Sequence, residues 1–174
     1  MKKLYAPWRS PYAASIDASK QEKNKKEECV FCTQLQENAD EKHLILRRFA
    51  HHAIMINKYP YNAGHLLIVS LEHQATLGEL SRESRAELME LTAHCVSILQ
   101  KELRAEGVNV GLNLGKVAGA GIPSHIHMHI LPRWHGDTNF LPTLAETKQI
   151  SFDLREIYAQ LKPAFDMLSA VRPE

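Results

Sequence analysis

This 174-residue sequence is poor in the features that mark several protein classes. It has only three cysteines, too few for a dense disulfide scaffold. Glycine and proline, eight of each, are not enriched, which excludes collagen-like and low-complexity chains. Net charge is nearly absent: 21 Lys and Arg face 20 Asp and Glu, leaving +1 with histidine neutral. A chain that grips nucleic acid by bulk charge is more basic than this. No apolar run approaches the roughly 20 residues of a membrane span. Residues 1–12 carry two lysines but lack the apolar stretch of a signal peptide. The expectation is a cytoplasmic, reducing compartment with no nucleic-acid or membrane partner. There Cys29 and Cys32 serve as thiolates or metal ligands rather than as a structural disulfide.

What the sequence does have is enough apolar residues, 44 %, for a real core, and ten histidines, twice the number of phenylalanines. Histidine titrates near neutral pH and ligates metals as a neutral base, so the positions of those ten decide the reading.

Residues 1–28 divide into an arm and a polar linker. Tyr5, Trp8 and Tyr12 interleave with Pro7, Arg9 and Pro11, and X-Pro steps favour extended chain. Residues 17–28 are almost wholly polar. The domain is expected over 29–174. Strands are predicted at 44–49, 53–57 and 65–70, the last a buried run, with the Pro, Asn and Gly of 59–64 forming a turn. Residues 82–105 read as a long helix with Ser81 as its N-cap and Gly107 as its stop. Leu88, Leu91, Cys95, Ile98, Leu99 and Leu103 form its apolar face, with His94 on the polar side. Val108, Val110, Leu112 and Leu114 alternate with polar or small residues, as on a half-buried strand. A last helix is predicted from after Ser151 toward Leu161, broken or kinked at Pro163. Strands outnumber helices without regular βαβ alternation. The fold class is therefore α+β, a mainly antiparallel sheet with one long helix and a C-terminal helix.

The segment His125-Ile126-His127-Met128-His129-Ile130-Leu131 carries the chemistry. Side chains alternate on a strand, so the three histidines share one face and Ile126, Met128 and Ile130 share the other. Residues i and i+2 lie about 6.6–6.8 Å apart along a strand, and i and i+4 about 13 Å. Metal–nitrogen bonds of about 2.0–2.1 Å thus favour a division of labour, one end of the run on a metal and the other on substrate. A neutral imidazole can attack phosphorus and carry the transferred group, while a neighbouring histidine stabilises the phosphoryl oxygens. The small-residue loop 115–124 can bring backbone N–H groups close to phosphate. It matches neither the P-loop spacing nor the dinucleotide fingerprint. Cys29-Val-Phe-Cys32 alone could be redox-active, metal-binding or incidental. His43, His51 and His52 flank strands and are expected to be surface or loop residues.

His125–Leu131 resembles the histidine triad signature. Pro132-Arg133-Trp134 extends it, and Gly136-Asp137-Thr138-Asn139-Phe140 is similar to the bacterial branch containing diadenosine tetraphosphate phosphorylases and hydrolases. Asn57-Lys-Tyr-Pro-Tyr-Asn-Ala-Gly64-His65, the Trp8-Arg9 arm and Cys29-Val-Phe-Cys32 fit the same branch, from Leu4 to Phe140. The resemblance implies a nucleotide hydrolase or transferase acting on dinucleoside polyphosphates through a nucleotidyl-histidine. His127 would be the nucleophile, His129 a phosphate partner and His65 the residue that orients or stabilises the catalytic histidine. Asn57 corresponds to the ribose contact and Asn113 to a phosphate-side contact. Many members carry Gln and Ser or Thr just before the triad. Here the segment is Gly121-Ile-Pro-Ser124, so backbone groups of Gly121 or the Ser124 hydroxyl would substitute. Some bacterial triad proteins, and the related galactose-1-phosphate uridylyltransferases, complete a Cys-x-x-Cys site with two histidines that correspond to His73 and His125. The resemblance thus implies a structural zinc on Cys29, Cys32, His73 and His125, no organic cofactor, and a homodimer with a continuous sheet. Nucleoside phosphoramidate hydrolysis and a nucleotide-binding module are the alternatives.

Overall fold

Apolar alternation and one strongly amphipathic helix assemble an antiparallel sheet sandwiched between unequal layers. A computed structural model describes residues 29–138, 144 and 152–168. The arm and linker at 1–28 and Asn139-Phe140 lie outside the described residues. Two short helices, α1 (Val30–Gln36) and α2 (Asp40–His43), precede strands β1 (Ile45–Arg48), β2 (His52–Ile56) and β3 (Leu66–Ser70). The long helix α3 (Arg82–Glu102) leads to β4 (Gly107–Leu112), a 3-10 turn (Lys116–Ala118), β5 (His127–Arg133) and helix α4 (Leu154–Asp166). The sheet order is β1-β2-β3-β5-β4, with every pair antiparallel. This is the α+β architecture expected from the sequence.

β3 is buried along its whole length, which explains an apolar run without polar alternation. Leu66 and Ile68 face α3 and α4 in one core cluster with Leu91, Leu99, Leu161 and Phe165. Leu67 and Val69 face the other side, against Cys29, Phe31 and Cys32 of the α1 segment. Each fully buried Leu or Phe contributes about 1.5–3 kcal/mol relative to exposure, so the helical layer carries most of the packing energy. Cys95 is fully buried there, as the helix periodicity predicts. β5 divides its side chains as expected: Ile126, Met128 and Ile130 enter the helical core.

Three local expectations are corrected. The Ser81 hydroxyl does cap α3, accepting from the Ser84 N–H, but Gly107 does not end it. The helix stops at Glu102, and Arg104 takes the left-handed conformation (φ 52°) with the Ala105 N–H on the Leu99 carbonyl. Gly107 instead opens β4. At the C-terminus, α4 passes through Pro163 and ends at Asp166. Proline removes one helical hydrogen bond, but burial of Phe165 holds the last turn to the core, and Arg47 donates to the Phe165 and Asp166 carbonyls. Finally, His43 and His52 are buried, in α2 and β2, rather than surface or loop residues. Glu87 on α3 accepts from the Ala50 and His51 N–H groups and from His52 Nδ1, tying the long helix to the β1–β2 turn. Short sequence windows around His52 cannot reveal a partner 35 residues away.

Candidate active site and metal centre

Gly64 sets the approach to the site. It sits at φ +66°, and a Cβ there would collide with Leu103 Cδ1. The left-handed backbone favours glycine, and the turn delivers His65 onto the triad face just before β3. Register then fixes the neighbours: Leu67 opposes His129, Val69 opposes His127, and Gly111 of β4 opposes His129 from the other side. A Cβ on Gly111 would meet nothing within 4 Å, so the space beside His129 is open.

Backbone partners of fixed polarity assign the imidazole tautomers. His127 Nδ1 lies 2.8 Å from the His125 carbonyl, which can only accept. The proton is therefore on Nδ1, and Nε2 keeps its lone pair. The Tyr61 N–H, which can only donate, points at His65 Nδ1 at 3.1 Å, and Asn57 Nδ2 lies 3.3 Å from the same atom. His65 thus carries its proton on Nε2 and donates to His129 Nδ1 at 3.0 Å. That leaves His129 with an outward Nε2–H donor. The His127 and His129 ring centroids are 5.0 Å apart. An electron-pair donor and a hydrogen-bond donor stand side by side, the pair of functions that attack on a phosphoryl group needs.

The electrostatics keep these rings neutral. Burial, then the neighbouring His129 and His127, push His65 down to about 3. Burial, then His127, push His129 down to about 4. Burial also lowers His127, partly opposed by its bond to the His125 carbonyl. Between pH 6.5 and about 3, the unfolded chain protonates residue 65 while the folded chain does not. Stability therefore falls as pH drops below 6.5, by about 1.4 kcal/mol per pH unit for the fully buried His65 alone. His129 acts in the same direction down to about 4. Urea unfolding at pH 7 and pH 5 is expected to give a clearly lower midpoint at pH 5; equal midpoints would refute the assignment of buried neutral imidazoles.

A second cluster adjoins the first. One ligand atom from each of Cys29, Cys32, His73 and His125 lies within 4.8 Å of every other. His125 Nδ1 is 3.3 Å from Cys29 Sγ and 3.5 Å from Cys32 Sγ, and His73 Nδ1 is 3.1 Å from Cys32 Sγ. A tetrahedral zinc would space sulfur and nitrogen ligands at about 3.6 Å. His125 Nε2 donates to the Ser70 carbonyl at 2.8 Å, which frees Nδ1 as a ligand. Cys29, Cys32 and His125 are buried. The donor set and its hydrogen bonding fit zinc. Ser70 was invisible to motif reasoning because it contributes only its backbone.

Of the other residues singled out by sequence, Asn57 touches the site through His65, while its Oδ1 accepts from the Tyr59 N–H. Asn113, Gly121 and Ser124 lie in the segment between β4 and β5. The Asn113 and Ser124 side chains make no hydrogen bond among the described residues. Two aromatic neighbours were not foreseen. Tyr61 stacks over His129 at 6.0 Å and 15° and packs on His65 at 4.8 Å. Phe31 packs on both His125 and His127. Their placement between cysteines and beside Gly64-His65 was the available signal.

Sheet, in-line histidines and supporting His65 together define a histidine triad enzyme, in the class of nucleotide hydrolases and transferases. The HIT domain profile matches residues 38–136, more than half of the chain, and the protein belongs to that family. It is 33 % identical over 156 residues to an AP-4-A phosphorylase of Mycobacterium tuberculosis, covering 90 % of this chain and 80 % of that one. It is 31 % identical over 105 residues to an adenosine 5'-monophosphoramidase of Schizosaccharomyces pombe, covering 60 % and 74 % of the two chains. Among solved structures, a Zn-bound histidine triad family protein from Mycobacterium smegmatis shares the fold, with a TM-score of 0.66 at 23 % identity. That match covers 81 % of this chain and 95 % of the other. Among the described residues, no helix is long and apolar enough to cross a membrane.

Proposed function

We propose that this enzyme cleaves dinucleoside polyphosphates of the diadenosine tetraphosphate type through a nucleotidyl group carried on His127. The carrying observation is the tautomer pattern: a lone pair on His127 Nε2 beside a proton on His129 Nε2. The 33 % identity to an AP-4-A phosphorylase over 90 % of the chain supports this substrate class. In this reading His127 Nε2 bonds to the α-phosphorus as the bridging P–O bond breaks, and the nucleoside polyphosphate leaves. His129 donates to a phosphoryl oxygen, and His65 holds His129 in that orientation. Asn57 contacts the ribose. Asn113, the Gly121 backbone and the Ser124 hydroxyl serve the phosphates and leaving group. Water or phosphate then attacks the same phosphorus, and the P–N bond to His127 breaks.

The two acceptors give different products. Incubation with diadenosine tetraphosphate is expected to yield AMP and ATP in phosphate-free buffer if water is accepted, and ADP and ATP with phosphate if phosphate is accepted. No cleavage under either condition would sink the proposal. The phosphoramidase reading has its own support in the Schizosaccharomyces pombe relative. Preferential release of AMP from adenosine 5'-monophosphoramidate would favour it.

A structural zinc on Cys29, Cys32, His73 and His125 belongs to the same reading. It would fix the α1 segment and His125 without touching the reacting phosphorus. A reducing cytoplasm suits the two thiols. The enzyme works as a homodimer in this reading, with domain 29–174 as the repeating unit. β4 is an edge strand, and edges invite pairing; Val110 on it is 45 % exposed and Leu114 just beyond is 44 % exposed. A second copy along that edge would cover both and continue the sheet. Light scattering is expected to give the mass of two chains; a single-chain mass would refute the dimer.

A further inference from the structure

Phe31 stands between the two clusters. It is the third residue of Cys29-Val-Phe-Cys32, so its backbone is placed by the two flanking cysteines. Its ring is 6 % exposed and packs on His125 at 5.5 Å and 74° and on His127 at 5.1 Å and 58°. His127 is thus held twice by the metal-ligand set. Its Nδ1–H bonds to the carbonyl of His125, and its ring rests against a side chain carried by the cysteine pair. The hydrogen bond fixes the tautomer and one point of the ring. It leaves rotation about that point, which the tilted packing of the Phe31 ring against the imidazole restricts.

We propose that Phe31 is a positioning residue for His127, linking the Cys-x-x-Cys segment to the aim of the attacking Nε2. The inference rests on the reading of His127 as nucleophile. An imidazole free to swing by a fraction of an ångström leaves the in-line approach to phosphorus, and misplacements of about 1 Å can cost a hundredfold in rate. As a positioning residue acting through His127, Phe31 is expected to affect the chemical step rather than substrate affinity. Leucine at this position keeps an apolar filler over the sheet but loses the ring; tyrosine keeps it.

The test compares Phe31→Leu and Phe31→Tyr with the wild type, each with zinc content measured. Phe31→Leu is expected to retain its metal and to lose about tenfold in kcat, with KM changed by less than about twofold. Phe31→Tyr is expected to restore kcat. The imidazole C–H signals of His127, which lie within ring-current range of Phe31 in the wild type, are expected to shift in Phe31→Leu. Those of His65, which does not pack on Phe31, should stay. Wild-type kcat in Phe31→Leu, a rate loss that follows zinc loss, or unmoved His127 signals would each overturn the proposal. Activity retained by His127→Gly would instead reject the nucleophile. The His127 signals in Phe31→Leu would then still report whether Phe31 sets the ring.

Discussion

His127→Ala should leave a folded protein with turnover reduced by about 10⁴-fold or more, the scale seen when a covalent nucleophile is removed. The expected loss is large because no other group near the site offers the same function. His65 has its Nδ1 lone pair occupied by the Tyr61 N–H. His129 has its Nδ1 occupied by His65 and presents a proton outward. His125 has its Nε2 proton on Ser70 and its Nδ1 among the two thiols. Of these four histidines, His127 alone keeps a free electron pair, on Nε2. The substitution removes no side chain of the helical core, which is built from the opposite face of β5. Thermal unfolding should therefore stay near that of the wild type while steady-state cleavage of diadenosine tetraphosphate disappears. Cleavage at more than a hundredth of the wild-type rate would reject His127 as nucleophile. A quenched incubation offers a second readout: radiolabel from the substrate adenosine should be retained on wild-type protein and not on the variant.

The sequence revealed period and motif, while contacts between distant segments stayed hidden. The strict alternation of His125 to Leu131 placed one face on chemistry and the other in the core, because a strand's two faces follow from its geometry alone. The long helix was legible for the same reason. Its end was not, since a left-handed Arg104 depends on local strain borne by packing around Leu99 and Ala105. Pro163 argued for a helix break, and tertiary anchoring of Phe165 with capping by Arg47 overrode it. The buried His52–Glu87 pair and the Ser70 carbonyl under His125 join residues 35 and 55 positions apart. Nothing in a local window encodes such pairings. The four residues of the thiol-histidine cluster were reached by resemblance, and the fold brings them together from three separate segments.

Metal removal is the second large effect expected. Purified protein should carry one zinc per chain by elemental analysis, and Cys32→Ser should lose it. Four-ligand zinc sites in small domains contribute about 10 kcal/mol or more of binding free energy, and that energy is also folding energy. Even a fraction of it, several kcal/mol, lowers Tm by roughly 10 °C in a chain of this size. The layer at risk is the thinner one. Cys29, Phe31 and Cys32 form most of what covers Ile45, Ala53, Met55, Leu67 and Val69 on that face. The opposite layer of α3 and α4 has its own large core, a cluster separate from the one that holds Cys29 and Cys32. Chelation should therefore loosen the α1 segment first and preserve most helical signal by circular dichroism. Activity should fall with it, because the His125 carbonyl that fixes His127 Nδ1 belongs to a residue of the thiol-histidine cluster. A wild-type preparation that is metal-free, fully folded and unchanged in Tm on adding zinc would refute the structural role. If the metal is present but its removal leaves stability intact while turnover drops, the site's energy is spent on aligning His127 and not on holding the sheet.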